Sequence, residues 1–270
     1  MHESSYAIRA TTRQEVNIAI DWAAAEAWNP GLSDADCFYA ADPNGFLIGL
    51  IGSEPIATLS AMKYGDSFEF LGFYIVKPEY RGRGYGLQIW NAGLESLKGR
   101  IVGLDGVVAQ QSNYQQCGFT LAYQNVRYQG SGGGSLPTDS DVVPLSTIAF
   151  DEISAYDKPF SPDNRLQFLR CWINQPQSTA LGILRNHQLV GYGVMRLCRS
   201  GYKVGPLFAD SQEFADQLFS ALKAYAPEGA PIFLYIPAVN VAAVDLVRQH
   251  KMTVAFETAR MYKGKSLICP

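Results

Sequence analysis

The stretch FEFLGFYIVKPEYRGRGYGLQIW, residues 68–90, decides the fold of this 270-residue chain. Residues 68–76 form a nearly continuous apolar run, which is typical of a strand buried in the centre of a sheet. Residues 77–86 come next with a proline and three alternating glycines, and apolar residues then recur at helical spacing. Those apolar positions are Leu87, Trp90, Leu94 and Leu97. The predicted order is a strand, a glycine-rich loop and a helix.

The glycine-rich loop predicts a site for an anion. Pro78 stops strand pairing, and Gly82, Gly84 and Gly86 let the backbone turn and bring its N–H groups close to a ligand. These N–H groups and the positive end of the helix dipole meet at one place, where a pyrophosphate is favoured. Neither a GxxxxGK phosphate loop nor a GxGxxG dinucleotide motif fits, because the glycines are two residues apart.

The run from Arg81 through Gly84 to Gly86 has the pattern Arg-x-x-Gly-x-Gly, and Val76 to Tyr80 precedes it as Val-x-Pro-Glu-Tyr. This stretch resembles the acetyl-CoA pyrophosphate loop of the GNAT superfamily of N-acetyltransferases. A second match is Tyr114, four residues before Gly118-Phe119. The resemblance covers residues 6–128 and implies that acetyl-CoA is the cosubstrate. It assigns acetyl-CoA binding to Ile75, Val76, Arg81, Gly82, Arg83, Gly84, Tyr85, Gly86 and Leu87.

The chain also contains an internal repeat. Sliding the second part onto the first with an offset of 133 residues aligns four pairs without a gap: Pro43 with Pro176, Gly49 with Gly182, Gly72 with Gly205, and Arg127 with Arg260. Each repeat reads as a strand, helices, a strand hairpin, a strand, a helix, a strand, a short helix and a final strand. The expected fold class is α/β (α+β), with two tandem domains, each a mixed, mostly antiparallel, splayed sheet flanked by helices.

The Gly/Ser-rich segment GSGGGSLP marks the predicted boundary, since such a composition gives a flexible coil. We expect a catalytic domain at residues 1–129, a linker at 130–138 and a second domain at 139–270. At the offset of 133, the second domain replaces the three motif residues of the loop and the motif tyrosine. The replacements are Phe214, Gln217, Phe219 and Val247, so we expect a domain that has lost the cofactor site.

The resemblance implies direct transfer of an acetyl group to an amine in a ternary complex, with pantetheine lying where the central strand splays from its neighbour. Tyr114 is the implied proton donor to the leaving thiolate. An alkylamine is mostly protonated at pH 7, so a base or a water relay is also expected. Glu69 on the central strand and Asp105 on the next strand remain alternatives for that base.

The acceptor amine is expected to bind at the loop after the first helix. Trp28, Asn29 and Asp34 supply aromatic and acidic groups there, which suit an amine through cation–π and charge contacts. The acceptor is expected to be a small molecule. Two alternatives remain: a binding module that senses acetyl-CoA without catalysis, and a protein-lysine acetyltransferase with an open acidic groove.

Composition excludes several classes of protein. Hydrophobic residues make up 47% and charged residues 17% of the chain, which is typical of a globular protein, and a net charge of −3 argues against nucleic acid as a partner. No apolar run approaches a membrane span, and residues 1–10 lack the pattern of a secretion signal, so we expect neither export nor a membrane span. Five scattered cysteines and three dispersed histidines predict free thiols, no metal site and a cytoplasmic location. The oligomeric state is left open.

Overall fold

The computed structural model describes residues 5–97, 99–136 and 141–264, which fold into two repeats of the same order. Each repeat has six strands and four helices within the described residues. The first half comprises β1 (Tyr6–Ala10), α1 (Arg13–Ala25), α2 (Asp34–Ala41), β2 (Phe46–Ile51), β3 (Glu54–Tyr64), β4 (Phe68–Val76), α3 (Tyr85–Glu95), β5 (Ile101–Val107), α4 (Gln111–Gln116) and β6 (Thr120–Ser131). The second half comprises β7 (Val142–Pro144), α5 (Phe150–Asp157), α6 (Leu166–Trp172), β8 (Ser178–Arg185), β9 (Gln188–Leu197), β10 (Tyr202–Ala209), α7 (Gln212–Ala224), β11 (Pro231–Pro237), α8 (Val241–Gln249) and β12 (Thr253–Lys263). The α/β fold class with tandem repeats is confirmed.

All twelve strands of the described chain form one sheet in which the two halves exchange their last strands. The order is β1-β2-β3-β4-β5-β12-β6-β11-β10-β9-β8-β7. The last strand of the second half therefore lies between β5 and β6, and the last strand of the first half lies between β12 and β11. Two strand pairs, β4 with β5 and β10 with β11, are parallel, and the other pairs are antiparallel.

Local sequence signals explain the helices that frame the sheet. Thr12 caps α1 in a capping box with Glu15, as their spacing predicts. Helix α3 lies on β3, and Gly93 allows this contact because a Cβ there would come within 2.3 Å of the side chain of Leu59. The buried face of α3 includes Ile89 and Trp90, whereas Leu87 is 59% exposed.

The segment between the halves begins as strand and not as coil. Gly130 and Ser131 complete β6 in register with β11, and Gly132 is buried and donates its N–H to the carbonyl of Ala230 at 2.7 Å. The expected flexible coil at 130–138 is thus wrong for its first residues, because strand pairing continues through them. Residues 137 and 138 lie outside the described chain. The domain boundary itself stays a prediction.

Apolar contacts cross between the halves, since Cys37 of α2 packs in a cluster with Trp172, and Met261 of β12 packs in a cluster with Leu104. Polar contacts also join the two. Asp34 of α2 and Arg196 of β9 form a buried ion pair across the halves, with Nε and Oδ1 2.8 Å apart. Asn29 exchanges hydrogen bonds with the backbone of Ser200. The cysteines within the described chain are free thiols, while Cys269 lies outside it. Among the described helices, none has the length and apolar character needed to cross a bilayer.

Candidate active site

Strands β4 and β5 part in the middle of the sheet and open a cleft. Their parallel pairing runs from Phe68 with Ile101 to Leu71 with Leu104 and ends there, although both strands continue. A bulge in β4 accompanies the separation, because the register with β3 shifts at Phe73, whose φ is +46°. The hydroxyl of Thr58 donates to the carbonyl of Phe73 at 2.8 Å and holds the bulge. Beyond it, Ile75 and Val76 line the cleft as expected.

The glycine-rich loop lies at the end of this cleft and fits an anion. Gly82 and Gly84 have φ values of +73° and +83°, and no atom lies within 4 Å of a Cβ built on either residue. Gly84 is the N-cap of α3, so the N–H groups of the first helical turn have no partner within the helix. The N–H groups of 82–84 donate to no backbone carbonyl of the described chain. An open, unpaired set of donors at a helix N-terminus is suited to a pyrophosphate.

The side chains of the loop divide between the cleft and the surface. Arg81, Gly86 and Leu87 line the cleft, whereas Arg83 and Tyr85 are not part of its wall. Arg81 donates to the carbonyl of Val76 at 2.8 Å and forms an ion pair with Glu26. The guanidinium of Arg83 lies 5.5 Å from the ring centre of Tyr85. The side chains of Arg83 and Tyr85 therefore lie outside the cleft wall, and the expected cofactor binding by these two residues rests on their backbone N–H groups and stays a prediction.

Tyr114 lies on α4 at the edge of the cleft. Its ring packs against Trp90 with 5.6 Å between the ring centres, and Gly106 makes room for it, since a Cβ there would come within 2.4 Å of the ring. Burial raises the pKa of Tyr114 to about 12, so its hydroxyl keeps its proton at neutral pH. A protonated hydroxyl on the cleft wall can donate to a leaving group.

Glu69 does not reach the cleft. It lies between Phe68 and Phe70, which both line the cavity, and neighbouring strand residues point to opposite faces. Its side chain is fully buried and pairs with Arg100, with Nε and Oε1 3.1 Å apart, and neither oxygen accepts a hydrogen bond within the described chain. Burial raises its pKa to about 7, against the opposing charge of Arg100. The proposal of Glu69 as the base is wrong, because its carboxylate faces away from the reaction.

Asp105 lines the cleft, but its carboxylate is already engaged. Arg260 of β12 donates to both of its oxygens at 2.7 and 2.8 Å, and Asn125 donates to one of them at 2.8 Å. The guanidinium and the amide thus already use the hydrogen-bonding capacity of both carboxylate oxygens. The exchange of the last strands places Arg260 here, which is why a residue of the second half completes a first-half site.

Of the three residues expected to bind the acceptor, Trp28 alone lines the cleft. Its carbonyl accepts hydrogen bonds from Arg127 at 3.0 Å and Lys203 at 3.1 Å. Asn29 and Asp34 bind Ser200 and Arg196 instead and tie the halves together. Their assignment to the acceptor site is wrong, because the second half already satisfies their polar groups.

The cleft continues into the second half as one cavity of about 1530 Å³. Its wall there carries aromatic and cationic side chains that the sequence reasoning left unassigned, among them Phe168, Trp172, Arg196, Lys203, Tyr235, Phe256 and Arg260. Lys203 donates to the carbonyl of Asn29 at 2.7 Å, and burial lowers its pKa to about 8. The alignment of Arg127 with Arg260 was the one sequence signal that pointed to this region.

In the second half the two parallel strands also separate, but the glycine-rich loop is absent from the described residues. The parallel pairing of β10 with β11 ends at Val204 with Leu234. Only residues 210 and 211 connect β10 to α7, and the side chain of Ser211 accepts the N–H of Phe214 and so caps the helix. Phe214 and Phe219 pack into the core of the second half. No glycine-lined space for a phosphate is present at this helix start within the described residues.

Comparisons with known proteins agree on one family. The family model described as "Acetyltransferase (GNAT) family" matches residues 13–119, and the "Acetyltransferase (GNAT) domain" matches residues 153–268. Holothin acyltransferase of a Pseudoalteromonas strain is 30% identical over 252 residues, which cover 93% of this chain and 86% of that protein.

Solved structures share the tandem architecture. A putative acetyltransferase from Pyrococcus horikoshii has a TM-score of 0.80 at 23% identity, covering 98% of this chain and 92% of its own. A tandem GNAT protein from the clavulanic acid biosynthesis pathway has a TM-score of 0.67 at 12% identity, covering 97% of this chain and 100% of its own. These likenesses concern the fold.

Proposed function

Because the chain belongs to the GNAT superfamily and is an acyltransferase, we propose that it moves an acetyl group from acetyl-CoA directly to a primary amine of a small molecule, with the first half catalytic. GNAT proteins use acyl-CoA cosubstrates, and acetyl-CoA is the proposed one here. Holothin, which the name of the Pseudoalteromonas relative gives as its acceptor, is the first compound to try.

One observation carries the assignment of catalysis to the first half. The open glycine cradle at the start of α3 adjoins the split between β4 and β5, whereas the start of α7 is capped by Ser211. Only the first arrangement offers free N–H donors to a pyrophosphate among the described residues. Each hydrogen bond to a charged oxygen contributes roughly 1.5–3 kcal/mol, so several of them together favour a bound pyrophosphate.

The residues of the cleft align the two reactants and donate a proton. The unpaired edge of β4 near Ile75 offers backbone groups to the pantetheine arm and so aligns the thioester with the acceptor. Tyr114 donates a proton to the departing sulfur, since its hydroxyl is protonated and lies on the cleft wall. Acetyl-CoA bound there supplies the activated acyl carbon.

The protein-lysine alternative lacks support from the shape of the cleft. Its acceptor side lies between the halves and is lined by aromatic and cationic groups, whereas a peptide lysine calls for an open acidic groove. One observation supports the binding-module alternative: Asp105, an expected base, already forms an ion pair with Arg260. Turnover separates this alternative from an enzyme.

Calorimetry with acetyl-CoA and a thiol-release assay test the proposal on the full chain. We expect one acetyl-CoA site per chain, thiol release that depends on an amine, and an N-acetylated product in the mass spectrum. Two sites per chain would contradict a catalytic role for the first half alone. Binding without thiol release from any amine would favour the binding module.

A further inference from the structure

Two cysteines from different halves lie next to each other where α2 packs against α6. Cys37 belongs to α2 and Cys171 to α6, and the offset of 133 residues places α2 over α6, so the two helices hold equivalent positions in the repeats. The two thiols interact, and both side chains belong to the same apolar cluster. The joint between the halves therefore contains a pair of adjacent thiols.

Aromatic rings on both sides keep the two cysteines together. Phe38 follows Cys37 in α2, Trp172 follows Cys171 in α6, and the two ring centres lie 5.8 Å apart. Phe168 packs on both rings, at 5.9 Å from Phe38 and 4.7 Å from Trp172. A closely packed interior holds its side chains in place, so the thiols stay adjacent while the chain is folded.

The two thiols differ in their access to solvent. Cys37 is fully buried, and this burial together with the neighbouring Cys171 raises the pKa of its thiol. Cys171 is partly exposed. Because access and thiolate character decide which cysteine is oxidised first, a small oxidant in the solvent reacts at Cys171. Cys37 then lies beside the oxidised sulfur.

From this arrangement we propose that Cys37 and Cys171 form a modification site, at which hydrogen peroxide produces a reversible disulfide between the two halves. Peroxide first transfers one oxygen to the sulfur of Cys171, which gives a sulfenic acid and one water. The sulfur of Cys37 then attacks that of Cys171, so that the S–S bond forms as the S–O bond breaks. The hydroxyl group leaves with the proton of Cys37 as a second water. Two thiols are oxidised and one peroxide is reduced.

The disulfide would act on the joint and on the cavity beside it. The two cysteines are 134 positions apart, so the bond closes a long loop and lowers the conformational entropy of the unfolded chain. Phe38, Phe168 and Trp172 line the cavity, so the bond would also fix the helices that carry this part of its wall. The proposal does not depend on acetyl transfer, because it concerns the thiols alone.

Peptide mapping of the full chain tests the proposal. The reduced protein is treated with hydrogen peroxide, its remaining thiols are alkylated, and it is digested with trypsin. Cleavage leaves Cys37 in the peptide 14–63 and Cys171 in the peptide 171–185, each as the only cysteine. We expect these two peptides to be linked as the main product, with a mass about 2 Da below their sum, and to separate in dithiothreitol. Links between other cysteines only, or a sulfinic acid on Cys171 without a link, would overturn the proposal.

Thermal unfolding with two variants supplies a second readout. The linked wild type should melt roughly 5 °C or more above the reduced protein, because the disulfide restricts its unfolded state. Cys171→Ser should lose both the link and this shift, whereas Cys117→Ser, at another partly exposed cysteine, should keep both. A peroxide-induced shift of the same size in Cys171→Ser would contradict the proposal.

Discussion

The two halves share a split sheet and differ in the segment that connects the split strand to the next helix. Between β4 and α3 lie eight residues, 77–84, whereas between β10 and α7 lie two, 210 and 211. The longer connection gives a helix start with open N–H groups, and the shorter one gives a helix start closed by Ser211. A split between parallel strands is thus not sufficient to leave N–H donors open at the next helix start. The length of the connection after the strand makes the difference.

The largest expected effect concerns the contact that holds the two halves together. Asp34→Asn leaves Arg196 as an unpaired buried charge, so we expect a loss of about 3–5 kcal/mol in the free energy of unfolding. Urea unfolding measures it. Asp36→Asn on the same helix breaks an exposed pair with Arg13 and should cost less than about 1 kcal/mol. Equal losses would show that the buried pair does not stabilise the joint.

Substitution of one glycine tests the difference between the two helix starts. Gly84→Asp places a carboxylate where the pyrophosphate is expected, and we predict a loss of acetyl-CoA affinity of at least about 100-fold by calorimetry. Gly229→Asp is the matched control, because Gly229 has a φ of +76° and equally open space, but lies in the second half. If both variants bind acetyl-CoA like the wild type, the loop assignment is wrong.

The two halves also differ at the proposed proton donor Tyr114, whose counterpart in the repeat is Val247. Tyr114→Phe removes the hydroxyl and keeps the ring packed on Trp90, so we expect kcat to fall about 100-fold with little change in acetyl-CoA affinity. Steady-state kinetics and calorimetry measure the two quantities. Tyr225→Phe, at an exposed tyrosine of the second half, should leave both unchanged. Full activity of Tyr114→Phe would exclude a proton-donor role.

The smallest expected effect is on the pH dependence of stability and concerns Glu69, whose counterpart in the repeat is Tyr202. Because burial raises the pKa of Glu69 to about 7 from its ordinary 4.5, the folded chain binds a proton more tightly than the unfolded chain. Wild-type stability should therefore fall from pH 5 to 8 relative to that of Glu69→Gln, as urea unfolding at each pH would show. Parallel stability curves for the two proteins would mean that Glu69 titrates normally.

The sequence predicted the parts of the molecule that depend on neighbouring residues. The glycine loop, the capping box at Thr12 and the order of elements in each repeat result from spacing and composition, and the structure has them. The glycine-rich loop lies at the cleft, and its position could be predicted because a strand end and a helix start are local features.

The features that the sequence could not predict depend on contacts between distant segments. Asp34 looked like an acceptor ligand in its loop, yet its partner Arg196 is 162 positions away. Asp105 looked like a free base until β12 brought Arg260 to it. No local pattern states which strands will be neighbours, since that choice depends on the packing of the whole sheet.

The exchanged strands make the chain indivisible. A first half expressed alone would expose the hydrogen-bonding edge of β5, which β12 covers, and unpaired edges promote aggregation. It would also lose Arg260, which lines the cleft and binds Asp105. A gene fragment or a proteolytic cut that separates the repeats thus yields two incomplete sheets. The first repeat needs the second to complete its sheet, whether or not the second repeat binds a nucleotide.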